Sequence, residues 1–141
     1  MRIGEGEHQS HWDDRWSKIP DSAAKDPGWA HHGMAVTENG NILTCHSGDP
    51  TMMLLDPAGN VIKSWPVDLA DAHGITVVPE NGEELLWIAD NGRKRSGDLG
   101  YEYPDGGAKG QVLKMDFVGN VLMPLERPEL PVYEEGMYSP T

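Results

Sequence analysis

The sequence predicts an all-β chain, on three observations. Gly (17) and Pro (11) together make up about a fifth of the 141 residues, which favours many tight turns over long helices. A unit of about 41 residues occurs twice in tandem. Each copy holds four short runs of strand character, separated by residue types that hairpins demand.

The chain divides into a lead-in segment over 1–28, a first unit over 29–68, a second over 69–128 with a long insertion at 93–110, and a linker with the start of a further unit over 129–141. In the lead-in, Trp12 and Trp16, followed by Trp29 at the start of the first unit, are expected to pack an extended segment against a sheet. The repeat brings His32-Gly33-Met34-Ala35-Val36 onto His73-Gly74-Ile75-Thr76-Val77, a shift of 41 residues. Glu38-Asn39-Gly40 then falls on Glu80-Asn81-Gly82, and Leu43-Thr44-Cys45-His46-Ser47-Gly48 on Trp87-Ile88-Ala89-Asp90-Asn91-Gly92. Further on, Asp56-Pro57-Ala58-Gly59-Asn60-Val61 falls on Asp116-Phe117-Val118-Gly119-Asn120-Val121.

The four runs, a to d, are expected in the first copy near Gly33 to Val36, Asn41 to Cys45, Thr51 to Asp56 and Val61 to Trp65. In the second they are expected near Gly74 to Val78, Leu85 to Ala89, Gln111 to Asp116 and Val121 to Leu125. Asn39-Gly40 and Asn81-Gly82 suit the a-to-b turn, and Gly59-Asn60 and Gly119-Asn120 the c-to-d turn, because these residues tolerate positive φ. Each copy therefore reads as a four-stranded antiparallel meander. Met34, Met52, Met53 and Met115 are expected in packing between units, Trp65 and Trp87 as core anchors, and Cys45 as a small buried residue.

Composition excludes several functions. With 23 acidic residues against 11 Lys and Arg the formal charge is −12, which makes nucleic acid a poor partner. No run approaches the roughly 18 apolar residues of a membrane span, and residues 1–7 lack the pattern of a secretory leader, so neither membrane nor secretion is expected. The compartment is otherwise unspecified. A lone Cys45 rules out an internal disulfide and a thiol-only zinc site.

A repeat of this length with four strands matches a propeller blade. His-Gly-Ile-Thr-Val, Glu-Asn-Gly, Leu-Trp-Ile-Ala-Asp-Asn-Gly and Val-Leu-Lys-Met-Asp-x-x-Gly-Asn-Val resemble the NHL repeat over about Trp29 to Thr141. Within that group the chain is similar to the six-bladed propellers related to peptidyl-α-hydroxyglycine α-amidating lyase. The resemblance implies a partial propeller of two to three blades. Six blades need roughly 246 residues, and Tyr138-Ser139-Pro140-Thr141 looks like the approach to a further strand a, so a fragment of a longer propeller is expected. The rival is a natural partial propeller that closes by self-association through its open edges.

In a meander the start of strand a and the end of strand b lie at the same end, so the a-leading His and the b-to-c loop converge there. That end receives His32, His46 and Asp49 from the first copy, and His73, Asp90, Asn91 and Arg93 from the second. The imidazoles suit a metal, and His46, Asp49, Asp90, Asn91 and Arg93 suit a small-molecule or peptide-derived ligand. A His before Gly at a strand start serves equally as an ordinary cap, and His31 is expected at the surface. The resemblance favours metal at His73: related lyases bind zinc through His-Gly at strand-a heads and calcium partly through a carbonyl just beyond, here that of Ile75. His32 is the equivalent in the earlier unit.

One departure counts against lyase chemistry in this chain. The lyases carry an Arg-Gly pair at the end of the first strand b, where this sequence has Cys45-His46-Ser47-Gly48. The insertion at 93–110 adds 16 residues to the second copy, since Gly48 to Gly92 spans 44 positions and Asp56 to Asp116 spans 60. It reads either as a solvated excursion or as a lid in which Arg93, Lys94 and Arg95 meet an anionic group beneath Tyr101 and Tyr103. Two classes of function follow: a metal-dependent lyase-like protein, or a non-catalytic propeller used as a binding platform.

Overall fold

The computed structural model describes residues 1–20, 32–46, 50–93, 100, 102–103, 110–133 and 138–141. The fold is all-β. Among the described residues ten strands run β1 (Arg2–Glu5), β2 (His8–His11), β3 (Met34–Val36), β4 (Ile42–Cys45), β5 (Thr51–Leu55), β6 (Val61–Pro66), β7 (Ala72–Glu80), β8 (Glu83–Asp90), β9 (Gln111–Met115) and β10 (Val121–Leu125), followed by a 3-10 turn at Pro131–Tyr133. They form a two-stranded hairpin, β1-β2, and two four-stranded antiparallel sheets with strands in sequence order, β3 to β6 and β7 to β10. The eight strands of the two sheets fall where the repeat places runs a to d, with β7 and β8 extended at both ends.

The turns explain that correspondence. Between β7 and β8 only Asn81 and Gly82 intervene, with φ of 53° and 85°, the double positive φ of a type I′ hairpin. The two c-to-d turns are alike atom for atom. Asp56 Oδ1 accepts from the backbone N–H of Ala58 and Asn60, both at 2.9 Å, and Asn60 Nδ2 donates to Oδ2 at 2.8 Å. Asp116 accepts likewise from Val118 and Asn120 at 2.9 Å and from Asn120 Nδ2 at 2.7 Å. The Asp-x-x-Gly-Asn motif is thus a self-contained carboxylate-capped turn, which needs no tertiary partner to form.

Packing between the sheets follows from alternation along the strands. Leu43, Cys45, Met52 and Trp65 share one face of the first sheet, and Ile75, Leu86, Ile88, Leu113 and Met115 share one face of the second; the two faces close on each other in a single core. Burial of side chains of this size is worth about 1.5–3 kcal/mol each. The first strands of the two sheets, β3 and β7, meet at their heads, where the Gly33 N–H donates to the Ala72 carbonyl at 2.9 Å.

The opposite face of the second sheet is different. Trp87, Val112, Met123 and Leu125 line it, with Met123 and Leu125 42% and 53% exposed. Trp87 is therefore not the core anchor expected; it is half-buried, beneath the ammonium of Lys114 at 5.8 Å from its ring centre. Met34 also departs from expectation. It lies 70% exposed on the face of β3 turned away from the second sheet, whereas Met52 and Met115 are in the shared core and Met53 is buried on the first sheet's other face.

The lead-in contains a hairpin that the sequence did not announce. Gly6 and Glu7 turn β1 into β2, with positive φ at Gly6, and all eight strand residues are exposed. Without an apolar alternation there was no pattern to read. Farther along, Trp16 Nε1 donates to the Pro57 carbonyl at 3.0 Å and the Lys18 N–H to the Gly59 carbonyl at 2.9 Å, so the lead-in lies against the first sheet at Trp16, while Trp12 is exposed and Trp29 lies outside the described residues. It covers the Asp56–Asn60 turn much as Trp65 covers the Asp116–Asn120 turn. A Cβ on Gly59 would meet the Trp16 carbonyl oxygen at 1.9 Å, and one on Gly119 would meet the Trp65 ring at 2.8 Å.

Candidate functional site

The heads of β3 and β7 and the end of β8 form one buried polar cluster. Its foundation is Asp90, which is 1% exposed and closes β8. Asp90 Oδ1 accepts from the N–H groups of Asp71 (2.8 Å) and Gly92 (3.0 Å), and Oδ2 from the Ala70 N–H (3.0 Å) and Gln111 Nε2 (3.1 Å). Four donors saturate a carboxylate in this setting. Asp90 thus clamps the segment leading into β7, and the substrate-binding role expected of it has no lone pair left to use. A shallow cleft of about 430 Å³ runs beside it, lined by Asp68, Ala70, Asp90, Gly92 and Gln111.

The clamp presents Asp71, which is buried as well. Its backbone carbonyl accepts from His73 N–H (2.7 Å) and Asn91 N–H (3.1 Å), and its Oδ2 accepts from Asn91 Nδ2 at 3.1 Å. Oδ1 lies 2.9 Å from Nδ1 of His32. The ring N–H does not point cleanly along that line, so the contact is better described as an electrostatic pairing than as an aligned hydrogen bond. Burial would raise the Asp71 pKa, but His32, the nearby charge of His73 and the Asn91 amide together hold it below the ordinary carboxylate value.

His32 reaches Asp71 because the Gly33–Ala72 backbone bond sets the two strand heads side by side. Its side chain is only 8% exposed. Among the described residues its Nε2 is buried with no hydrogen-bond partner. A buried polar atom left unpartnered is uncommon and calls for an explanation. His73 occupies a register shift in β7, between the Ala72–Asp90 and Gly74–Ala89 pairs, and is half-buried. Such a bulge re-aims one side chain out of the alternation. Ile75, two residues on, has its side chain in the core and its backbone beside Gly33.

The other expected residues divide. Asn91 is 8% exposed and bonded to Asp71, with its Oδ1 accepting from the Arg93 N–H at 3.1 Å and its carbonyl from Ser139 Oγ at 3.0 Å. The Arg93 guanidinium sits 4.2 Å from the centre of the Tyr103 ring, which brings together two members of the expected lid. His46 is buried at the end of β4, its Nε2 3.0 Å from the Pro20 carbonyl oxygen. His31, Asp49, Lys94, Arg95 and Tyr101 lie outside the described residues.

Asp71 is the member that sequence reasoning missed. The repeat could not signal it, because the position 41 residues earlier is Ala30. What marks it is proximity to His73 and a carboxylate placed where two strand heads converge.

Chemically, the cluster offers one imidazole oriented by a carboxylate and a second close by. Among the described residues no three His, Cys, Asp or Glu side chains come together as a group able to hold a metal ion, and no helix is long and apolar enough to cross a membrane. No family model matches the chain, and comparison with curated proteins and with solved structures finds no significant relative.

Proposed function

We propose that the two four-stranded sheets are consecutive blades of an NHL-type propeller, and that the chain is part of a metal-dependent, α-amidating-lyase-like protein acting on a small or peptide-derived substrate. In this reading His73 and His32 are imidazole donors to a divalent cation, zinc first, and the carbonyl of Ile75 is a donor to calcium. Bound zinc would supply Lewis-acid polarisation of a substrate oxygen or an activated water.

One observation supports the metal reading above the others: His32 carries a buried Nε2 without a partner while its other nitrogen lies 2.9 Å from a carboxylate oxygen, close to, though not aligned as, the bond by which metal-ligating histidines donate their second N–H. The donor set within the described residues is two imidazoles, so binding by this chain alone is expected to be weak. Arg93, held over Tyr103, is the group suited to an anionic part of the substrate. No catalytic residue is assigned, since the Arg of the lyases' Arg-Gly pair is absent from Cys45-His46-Ser47-Gly48.

Equilibrium dialysis of the purified chain against zinc, read by elemental analysis, tests this. About one zinc per chain, lost in His73→Ala and weakened in His32→Ala, supports it. A folded chain that takes up no zinc at total concentrations of about 100 μM overturns it. The second reading, a non-catalytic binding platform, is favoured by the uncovered apolar face around Met123 and Leu125.

A further inference from the structure

Two facts about the buried cluster bear on His32 beyond its place in the metal reading. Its Nδ1 faces Asp71 Oδ1 at 2.9 Å, and the other oxygen of that carboxylate is engaged by Asn91 Nδ2 at 3.1 Å. A carboxylate can only accept hydrogen bonds. Although the ring N–H is not aligned on Oδ1, the carboxylate's charge favours a neutral imidazole with its proton on Nδ1, which leaves the lone pair on Nε2.

We propose that Asp71, oriented by Asn91, is a positioning residue that fixes His32 in the Nδ1–H tautomer and so makes Nε2 the donor atom for a divalent cation. The cation rests on the reading given above; the tautomer does not. Asn91 contributes by direction. Its amide donates to Oδ2, and its backbone N–H donates to the Asp71 main-chain carbonyl at 3.1 Å, so Asn91 holds the residue at both side chain and backbone. Asn91 thereby takes a role one step removed from any ligand, in place of the direct contact expected from its position at the end of β8.

The arrangement makes Asp71→Asn informative. In that variant the Asn91 NH₂ selects the carboxamide oxygen as its partner, which turns the new NH₂ toward His32 Nδ1. Nδ1 must then accept, and the ring proton moves to Nε2. The same substitution logic is known from catalytic triads, where the amide leaves the geometry intact and installs the wrong tautomer. Nε2 would carry a proton where a lone pair is required, and second-sphere substitutions of this kind weaken metal binding by about 10- to 100-fold.

The experiment uses the full chain with ¹⁵N-labelled histidine and reads the neutral form of the ring. The wild type is expected to show a protonated Nδ1 and an unprotonated Nε2 for His32, assigned by the loss of its signals in His32→Ala. Asp71→Asn is expected to reverse the two, with circular dichroism unchanged. Zinc titration should weaken about 10- to 100-fold in Asp71→Asn, while Asp71→Glu keeps the wild-type tautomer. A wild type with the proton on Nε2, or an Asp71→Asn variant with an unaltered tautomer, overturns the proposal. If the tautomer reverses as stated but no chain binds zinc, the role of Nε2 toward a cation is overturned along with the metal reading, and the tautomer assignment stands. If zinc binds equally well to wild type and Asp71→Asn, the positioning role fails while the metal reading survives.

Discussion

The indole of Trp65 lies 6.1 Å from the ring of Phe117, the planes inclined at 52°, and joins the outer strand of one sheet to the turn of the next. Leu125 holds the equivalent place in the second sheet, 60 residues on, yet is 53% exposed where Trp65 is 5%. Equivalent positions should therefore differ in energetic weight. Trp65→Ala is expected to cost about 3–5 kcal/mol, and Leu125→Ala less than about 0.5 kcal/mol. Urea unfolding followed by tryptophan fluorescence and circular dichroism measures both, and similar losses at the two positions would contradict the packing described.

Gly33 permits β3 and β7 to touch. A Cβ there would stand 2.6 Å from the His73 carbonyl oxygen and 2.9 Å from the Ile75 nitrogen, both backbone atoms that cannot rotate away. Gly33→Ala is expected to lower stability by about 1–3 kcal/mol and to part His32 from Asp71. Loss of that pairing should appear as a change in the His32 ring signals even where the protein remains folded.

Asp90 is predicted to be structural. Its replacement by Ala strands four donors, two of them on residues 70 and 71 that carry the cluster. A loss of about 3 kcal/mol or more is expected, together with faster amide exchange at Ala70 and Asp71. A stable Asp90→Ala chain with unaltered exchange would argue against the clamp.

Acid should loosen the two capped turns together. The Asn60 side chain and backbone hold the Asp56 carboxyl below its ordinary value of 3.8. At Asp116 slight burial works upward, but the bonds from Asn120, Val118 and Gly119 outweigh it and lower the value. A carboxyl whose folded pKa lies below its unfolded pKa stabilises the fold at pH above the unfolded value. That contribution is lost as pH falls from about 4 through the folded values. Unfolding midpoints between neutral pH and pH 2 should drop in that window, and the Asp56→Asn/Asp116→Asn double variant should show a shallower drop from a lower starting stability.

Much of the sheet architecture was legible because its signals are local. Asn81-Gly82 fixes a turn by its own φ angles, and Asp56 and Asp116 close theirs with bonds to residues no more than four positions away. The placing of His73 beside the end of β8 was legible too, since it follows from antiparallel connectivity; His32 joins them through the contact of β3 with β7, between sheets. Asp71 was not. Its significance comes from a contact with a residue 39 positions away, and neither periodicity nor the repeat encodes that. Asp90 looked like a ligand because a carboxylate at a loop invites that reading; only the four donors around it say otherwise. Trp87 and Met34 were misjudged for one reason: repetition predicts equivalent faces, but it does not say which face a neighbour covers.

The shared core has a consequence for how the protein comes apart. Leu43, Met52 and Trp65 find their apolar surroundings on the other sheet, as do Ile88 and Leu113. Apart from Met53 and Leu55, buried on the first sheet's other face, neither half of the stack has an interior of its own, so breathing motions that open the shared core must expose both halves. Protection of the slowest-exchanging amides in β4 and β8 should thus decay with a single common rate, and a nick between residues 66 and 72 should release two unstructured pieces rather than two miniature folds.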